Sequence, residues 1–298
     1  MPSGYSAANI ADGKVLLGDD AAKTIGEGLE IAMVPCLSDN YCAVLTCKKT
    51  GVVAVVDTPE AGPIIKYLEE KKLKLTHILN THKHWDHVGG NEELCDAYEN
   101  VSVYGPNKEM HDGVSWPVGH SATGKVGPQA IPRITNPLNH NDKFKFGECA
   151  VEVLDVPGHT VGHIAYHFPE QRVVFSGDAL FVLGCGRMFE GNPPMFWKSM
   201  KEFKNLPDNT LVYCAHEYTE ANYRFALSVD PDNKYLQKMG QRITELRGQG
   251  LMTVPSIMGQ EKAANPFLRA DEKYMADKYG GGEQHEVFAC LRKAKDNF

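Results

Sequence analysis

The sequence predicts an α/β protein with a helical segment at its C-terminus, and two observations indicate this fold class. From Leu29 to about residue 218, short apolar runs rich in β-branched residues end at Gly, Pro, Asn or Asp, as buried strands do. From about residue 220 onward the apolar residues follow helical spacing, and no run favours a strand. At 298 residues, the chain is long enough for one large domain or two ordinary ones.

The predicted elements follow one another along the chain. One amphipathic helix is predicted over residues 59–73, because its apolar side chains recur at helical spacing among charged ones. The predicted strands lie within 29–35, 42–47, 51–58, 75–81, 101–106, 145–158, 162–180 and 210–219. Residues 105–140 are rich in Gly, Pro, Asn and Ser and predict a long surface excursion.

The domain organisation that follows has two parts. Residues 1–218 are expected to form one domain, with residues 1–28 as a polar extension that packs loosely or not at all. Residues 219–298 are expected to form a second, helical domain.

Composition excludes several classes of partner. A net charge of −7 argues against a nucleic-acid binder and against an anionic membrane surface as the main partner. No apolar run approaches the roughly 18 residues needed to cross a bilayer, and the first residues lack the features of a secretory signal. We therefore expect a cytoplasmic monomer whose eight cysteines are reduced thiols.

The segment THKHWDH, residues 81–87, is the strongest chemical signal. A strand end running into a turn directs His82 and His84 to one side, while Asp86 and His87 lie past the turn. Imidazole and carboxylate ligands suit zinc, iron or manganese, and four ligands so placed suit two adjacent ions better than one. Three further candidates follow later strands: His159 in PGHTVGH, Asp178 in SGDALF and His216 in AHEYT.

Together these motifs resemble the metallo-β-lactamase superfamily and, within it, the glyoxalase II or hydroxyacylglutathione hydrolase family. The segments typical of that family are MVPCLSDNYCAVL, GDALFVLGCGRMFEG, CAHEYTEANYRFAL, NPFLR and the basic tail LRKAKDNF. The resemblance runs from about residue 29 to the end, with residues 1–28 and roughly 107–132 outside it. It implies a catalytic domain over residues 1–218, an αββα sandwich of two mixed β-sheets flanked by helices, followed by a C-terminal α-helical substrate-binding domain over residues 219–298. The stretch 107–132 is unlike the shorter connection of the family and is expected to shape substrate access or an interface.

The resemblance also implies two metal sites that share one carboxylate, occupied by zinc, with iron or manganese as alternatives. The first site comprises His82, His84 and His159, the second comprises Asp86, His87 and His216, and the shared ligand is Asp178. Two cations lower the pKa of a bridging water towards neutrality, and the resulting hydroxide, positioned by Asp86 and Asp178, attacks a thioester carbonyl. Asp57 is a candidate to orient a ligand imidazole from behind.

Substrate contacts implied by the resemblance are Arg187, Phe189, Tyr218, Arg292 and Lys295. Arg292 and Lys295 are three residues apart and share a helical face, where they could meet the glycine carboxylate of glutathione. Phe189 stands where the family pattern has Tyr, which removes one hydrogen bond worth about 1 kcal/mol. A less polar pocket would suit trypanothione, whereas the basic pair favours glutathione, so both carriers stay open.

The predicted function is hydrolysis of S-D-lactoylglutathione, or its trypanothione analogue, to D-lactate and free thiol in methylglyoxal detoxification. The alternative is another enzyme of the same fold, such as a persulfide dioxygenase with one iron, a lactonase or a β-lactamase. A non-catalytic scaffold is disfavoured because all seven metal ligands are present. The remaining histidines, and Cys185 within GCG, are expected to have structural roles.

Overall fold

The computed structural model describes residues 14–109 and 130–298. These residues form two compact units. The first unit comprises Gly26–Asp155 and Thr160–Gln171, and the second comprises Val156–His159, Arg172–Phe298 and the described residues up to Ile25. Residues 110–129 of the expected 107–132 loop lie outside the described part of the chain. The predicted boundary between residues 218 and 219 stays a prediction.

The described strands belong to two six-stranded sheets, with β1 to β6 in one and β7 to β12 in the other. In chain order they are β1 (Leu29–Cys36), β2 (Asn40–Cys47), β3 (Val53–Val56), β4 (Leu75–Leu79), β5 (Ser102–Pro106), β6 (Asn136–Leu138), β7 (Lys143–Phe146), β8 (Cys149–Asp155), β9 (Ile164–Phe168), β10 (Val173–Gly177), β11 (Leu211–Cys214) and β12 (Ser256–Ile257). Every strand predicted from the sequence is confirmed.

The helices lie between and after these strands. In chain order they are α1 (Asp19–Ala22), α2 (Ala61–Glu70), α3 (Trp85–Val88), α4 (Asn91–Ala97), α5 (Pro193–Asn205), α6 (Thr219–Val229), α7 (Lys234–Gly248), α8 (Met258–Ala264), α9 (Lys273–Tyr279) and α10 (Gln284–Asp296). Within the described ranges, none of them is long and apolar enough to cross a membrane. The helix predicted over residues 59–73 is confirmed as α2.

The first unit is built on the sheet β1 to β6. Strands β1, β2 and β3 pair antiparallel, and β3 to β6 pair parallel. Helix α2 makes the crossover between β3 and β4 and buries Ala61, Ile64 and Leu68, which its 3.6-residue period places on one face. These side chains join the apolar residues of the strands in one core cluster. The same unit contains the antiparallel strands β7, β8 and β9.

The second unit combines short strands with most of the helices. Strand β10 pairs parallel with β11, and β11 pairs antiparallel with β12. Its core is aromatic: the rings of Phe196 and Phe267 pack edge-on against Phe288 of α10. Burying such rings removes a large apolar area from water, which holds α5 and α10 in place.

Two predictions about this unit need correction. Residues 14–22 do not pack loosely, because Leu17 and Ala21 are fully buried and the Leu16 backbone exchanges two hydrogen bonds with the Gln260 amide. The helical tail also contains a strand, β12, whose two residues are too short to leave an apolar pattern in the sequence.

Candidate metal centre

The histidine motif begins where β4 ends, in the first unit. His82 and His87 are fully buried, while His84 and Asp86 are half-buried where α3 begins. The side-chain amide of Asn80 donates to the His87 carbonyl oxygen over 2.9 Å and closes the loop around the motif. A sequence of strand, tight turn and short helix therefore fixes four donor side chains within seven residues.

The glycine pair after the motif is required by close packing. A Cβ at Gly89 would lie 2.7 Å from the Trp85 carbonyl oxygen and 2.9 Å from that of Pro59. A Cβ at Gly90 would lie 2.9 Å from the Ala61 nitrogen. Contacts this short are forbidden for real side chains, so only glycine lets the motif lie against the segment between β3 and α2.

Asp57, the residue directly after β3, makes hydrogen bonds to residues of the motif. Its carboxylate is 2 % exposed and accepts hydrogen bonds from the Thr81 backbone and hydroxyl, both at 2.8 Å. Its Oδ2 also lies 2.9 Å from Nδ1 of His87. An ionised carboxylate only accepts, so His87 carries its proton on Nδ1 and presents the Nε2 lone pair. The predicted contact of Asp57 with the imidazole of a candidate ligand, His87, is confirmed.

The same carboxylate reaches His82 through Thr81. The Thr81 hydroxyl donates to Asp57, so its lone pair is available to accept the Nδ1 proton of His82 across 3.0 Å. That tautomer presents the Nε2 lone pair of His82, which lies 3.0 Å from Nδ1 of His84. Two imidazole nitrogens therefore converge on one point in the first unit.

In the second unit, the two oxygens of one carboxylate face two different histidines. Asp178 follows β10, and its Oδ2 lies 3.5 Å from Nε2 of His159 while its Oδ1 lies 3.4 Å from Nε2 of His216. The three side chains are between 3 and 7 % exposed. Nδ1 of His159 donates to the Arg187 carbonyl oxygen at 2.8 Å, which again directs an Nε2 lone pair away from the backbone.

The donor sets of both units fit transition-metal ions. In a tetrahedral site with bonds of about 2.0–2.1 Å, ligand atoms lie roughly 3.3–3.4 Å apart. The pair His82–His84 and the two pairs around Asp178, at 3.0, 3.5 and 3.4 Å, have spacings close to that length. Backbone and carboxylate acceptors hold the outer nitrogens of His87 and His159, an arrangement typical of metal-binding histidines.

Two residues that the sequence analysis did not assign to the site also contact the motif in the first unit. The Asn40 amide donates to the carbonyl and the carboxylate of Asp86, at 3.1 and 3.3 Å. The ring of His163 stacks on that of His82 with centroids 4.6 Å apart. Both belong to segments already noted, SDNYC and PGHTVGH, but a single sequence does not show what a side chain contacts.

The predicted substrate residues all lie in the second unit, and two of them are aromatic rings beside metal donors. Tyr218 is 38 % exposed and stacks on His216 at 4.7 Å with nearly parallel rings. Phe189 is 44 % exposed and lies 5.2 Å from the ring of His159. Both rings therefore offer exposed apolar surface next to the candidate donors.

Arg292 has a structural contact that its predicted role did not include. Its guanidinium is 4 % exposed and donates to the Cys185 carbonyl oxygen at 2.8 Å and to that of Gly186 at 3.4 Å. It also pairs with Asp296 at 3.0 Å. Arg292 therefore supports the GCG segment, where Gly186 must be glycine because a Cβ would lie 2.2 Å from the Asp178 carbonyl oxygen.

Lys295 is the half-buried member of a cationic cluster that we define as Arg187, Arg224, Arg292 and Lys295. Its ammonium donates to the Ala221 carbonyl oxygen at 2.9 Å. Burial, followed by repulsion from Arg292, Arg224 and Arg187, lowers the pKa of Lys295 to about 8. The sequence analysis missed Arg224, although it lies six residues after Tyr218 on a predicted helix.

Arg187 and Arg224 are both exposed, and no described residue gives either side chain an ion pair or a hydrogen bond. Four cations whose single carboxylate partner in the described part of the chain is Asp296, on Arg292, form a surface suited to an anion. The cluster thereby enlarges the basic pair predicted from the last helix.

The loop after Asp178 is held by residues of the C-terminal region. Glu261 accepts from the Leu183 backbone at 2.8 Å, and the Asn265 amide donates to the Gly184 carbonyl oxygen at 3.0 Å. The Asn222 amide donates to the Val182 carbonyl oxygen at 3.0 Å. Burial raises the pKa of Glu261 to about 7. The NPFLR segment, which contains Asn265, thus serves to fix this loop.

Comparison with protein families gives two adjoining matches. Residues 40–216 match the model of the metallo-β-lactamase superfamily. Residues 217–298 match the model of the hydroxyacylglutathione hydrolase C-terminus. The first match covers β2 to β11 and the candidate metal donors, and the second covers Tyr218, Arg224 and the last helix.

Curated proteins and solved structures are similar along most of the chain. The hydroxyacylglutathione hydrolase of Erythrobacter litoralis is 44 % identical over 91 % of this chain and 100 % of its own length. That of Ruegeria pomeroyi is 43 % identical over 91 % of this chain and 99 % of its own. The crystal structure of the B3 metallo-β-lactamase BLEG-1 covers 80 % of this chain and 99 % of its own, with 22 % identity and a TM-score of 0.61. At that identity the structural match shows the fold alone.

Proposed function

The chain belongs to the hydroxyacylglutathione hydrolase family of the metallo-β-lactamase superfamily, the glyoxalase II type of thioester hydrolase, and we propose that seven His and Asp side chains hold two divalent ions for this hydrolysis. The first ion would be held by His82, His84 and His159, the second by Asp86, His87 and His216, and Asp178 would bind both. The single observation that carries this proposal is that the two carboxylate oxygens of Asp178 face different histidines.

Two of three possible donor sets contain only residues assigned to a single ion, and the third combines His82 and His87 with the shared Asp178. Three sets of three are chemically suited to hold an ion: His82, His84 and His159; His82, His87 and Asp178; and Asp86, His87 and His216. Zinc is our first choice, with iron or manganese as alternatives, since imidazole and carboxylate ligands accept all three.

When bound, two divalent cations make a shared water acidic enough to deprotonate near neutral pH and polarise the thioester carbonyl. The protein's own contribution is to hold the donors in the right tautomer. Asp57 fixes His87 directly and His82 through Thr81, and the Arg187 backbone fixes His159. The leaving thiolate has a parent pKa near 8.5, so no side chain has to protonate it.

For the substrate we propose S-D-lactoylglutathione. The rings of Phe189 and Tyr218 would flank the acyl and thiol portions, and the cationic cluster would take a carboxylate of the peptide. Arg187 and Arg224 support glutathione as the carrier, because spermidine-linked trypanothione lacks the free glycine carboxylates that this cluster would bind. A monomer in the cytoplasm remains our prediction for assembly and location.

The alternative enzymes of this fold are not favoured. The similar curated proteins are named hydroxyacylglutathione hydrolases. No specific contact among the described residues favours a persulfide dioxygenase or a lactonase.

The assay that tests the proposal measures hydrolysis of S-D-lactoylglutathione by the metal-replete protein, by His84→Ala and by His285→Ala as a matched control. His285 lies on α10 and contributes to no proposed site. We expect the wild type and His285→Ala to hydrolyse the thioester and His84→Ala to lose at least 100-fold in kcat/KM. Undiminished turnover in His84→Ala, or none in the replete wild type, would overturn the proposal.

A further inference from the structure

Two cysteines of the first unit lie beneath neighbouring hairpin turns. Cys47 ends β2 and is fully buried, and Cys149 begins β8 and is 2 % exposed. The Glu148 backbone donates to the Cys47 sulfur at 3.5 Å, and the Cys149 sulfur donates to the Gly28 carbonyl oxygen at 3.8 Å. That oxygen also accepts the N–H of Lys48, the residue after Cys47. Both thiols therefore lie around the same short piece of backbone.

The turn between β7 and β8 rests directly on the Cys47 side chain. A Cβ at Gly147 would lie 2.7 Å from the Cys47 sulfur and 2.4 Å from the Thr50 hydroxyl oxygen. The residues above the pair, 48–51 and Glu148, are exposed. Exposed turn residues therefore lie next to both buried thiols, and opening of either turn would expose a sulfur to a small molecule.

The two thiols differ in acidity. Burial opposes ionisation of Cys47, but hydrogen bonds from Glu148, Thr50 and Lys49 outweigh it and lower the pKa of Cys47 to about 7. Burial and the adjacent Cys47 sulfur raise the pKa of Cys149 to about 12. At neutral pH a thiolate thus lies beside a protonated thiol, which is the arrangement that an attacking and a resolving cysteine require.

The pair lies apart from the metal donors. Asn40, which contacts Asp86, begins β2, and Cys47 ends the same strand seven residues later. At roughly 3.3 Å per residue, this separation is about 23 Å. Chemistry at the thiols can therefore be followed independently of thioester hydrolysis.

We propose that Cys47 and Cys149 form a peroxide-sensitive thiol pair whose oxidation joins β2 to β8 by a disulfide. The Cys47 thiolate attacks one oxygen of hydrogen peroxide, the O–O bond breaks, and sulfenic acid and hydroxide form. The Cys149 thiol then attacks the Cys47 sulfur, the S–O bond breaks, and water leaves with the thiol proton. Peroxide is the two-electron oxidant, and the two thiols are oxidised together.

Tryptic mass spectrometry of the peroxide-treated protein tests this pair. The background is Cys290→Ser, because Cys290 is an exposed cysteine. We expect a cross-linked peptide containing Cys47 and Cys149, lighter by two hydrogens than the separate peptides and lost on reduction. Cys36 and Cys42 provide the internal control, since burial raises the pKa of both and they should stay reduced.

Single variants separate the two roles. In Cys149→Ser, the sulfenic acid at Cys47 should persist and react with dimedone, whereas Cys47→Ser should give no label at Cys149. Thioester hydrolysis by each variant reports that it is folded. Absence of both the cross-link and the dimedone adduct at Cys47 in folded protein, or a cross-link at Cys36–Cys42 instead, would contradict the proposal.

Discussion

Oδ2 of Asp57 lies 2.9 Å from Nδ1 of His87 and at the same time accepts the Thr81 hydroxyl proton at 2.8 Å. Through these two contacts a single buried carboxylate fixes the proton positions on His87 and, by way of Thr81, on His82. Because His82 and His87 are assigned to different ions, Asp57 would support both halves of the proposed centre.

Asp57→Asn tests this relationship. An asparagine has one acceptor oxygen where aspartate has two, so it cannot satisfy Thr81 and His87 together. Loss of such an orienting contact costs about 10–100-fold in metal affinity. We expect the variant to lose metal on dialysis against a competing chelator at concentrations that the wild type withstands, measured by elemental analysis.

Asp277→Asn is the matched control for that experiment. Among the described residues Asp277 pairs with the exposed Lys273 on the surface of α9, where a salt bridge contributes little. Equal metal retention by Asp57→Asn, Asp277→Asn and the wild type would show that the Asp57 contact has no orienting role.

Arg187→Gln and Arg224→Gln test the cationic cluster. Removing an exposed cation that meets a substrate carboxylate weakens binding without altering the chemical step, so KM for S-D-lactoylglutathione should rise several-fold at unchanged kcat. Raising the salt concentration should reduce the difference from the wild type. Lys293→Gln, an exposed change on the same helix as Lys295, should leave KM unaltered. A fall in kcat at constant KM would contradict this assignment.

Lys295 predicts a pH dependence of substrate binding. Its pKa is lowered to about 8, mainly by burial and then by the neighbouring arginines, so it is an ammonium below pH 8 and neutral above it. KM should therefore rise as the pH passes upward through about 8, and Lys295→Gln should show a high KM without that rise. In the substrate-free protein the effect of pH on folding stability has the opposite sign. Between pH 8 and 10.5 Lys295 is neutral in the folded chain but still protonated in the unfolded chain, so the free energy of unfolding increases with pH.

Phe189→Tyr tests the choice of carrier. If the ring lies beside the peptide of glutathione, the added hydroxyl supplies a hydrogen bond worth about 1 kcal/mol, or roughly fivefold in kcat/KM. The gain should appear with the lactoyl thioester of glutathione and be smaller with that of trypanothione. A loss of activity with both carriers would show that the hydroxyl is not accommodated.

The sequence predicted the strands because buried strands leave a local pattern, and the candidate metal donors were recognised by their positions after those strands. Buried strands such as β3 and β4 are short apolar runs ended by polar residues, and the donors follow directly after such runs. The role of each later candidate donor was ambiguous when it was considered alone: His159, Asp178 and His216. Only their order along the chain after the THKHWDH segment indicated a metal site. Asp57 was only a candidate to orient an imidazole until its distance to His87 was known.

Other features depend on contacts between distant residues. The guanidinium of Arg292 is directed to the Cys185 carbonyl oxygen by packing across 107 residues, which no spacing reveals. The acidity of Cys47 likewise arises from the turn at Glu148, about a hundred residues away. Helix α5 was missed although its signal was present: Asn192 caps it by accepting from the Met195 backbone, and two prolines occupy its first positions.

The measurement that tests the central claim most directly is the number of metal ions per chain in the purified active protein, compared with Asp178→Ala. We predict about two ions per chain and S-D-lactoylglutathione hydrolysis for the wild type. The Asp178→Ala protein should lose ions and hydrolysis together, because both proposed sites share that carboxylate. One ion per chain at full activity, or an active Asp178→Ala protein that keeps two ions, would contradict the account.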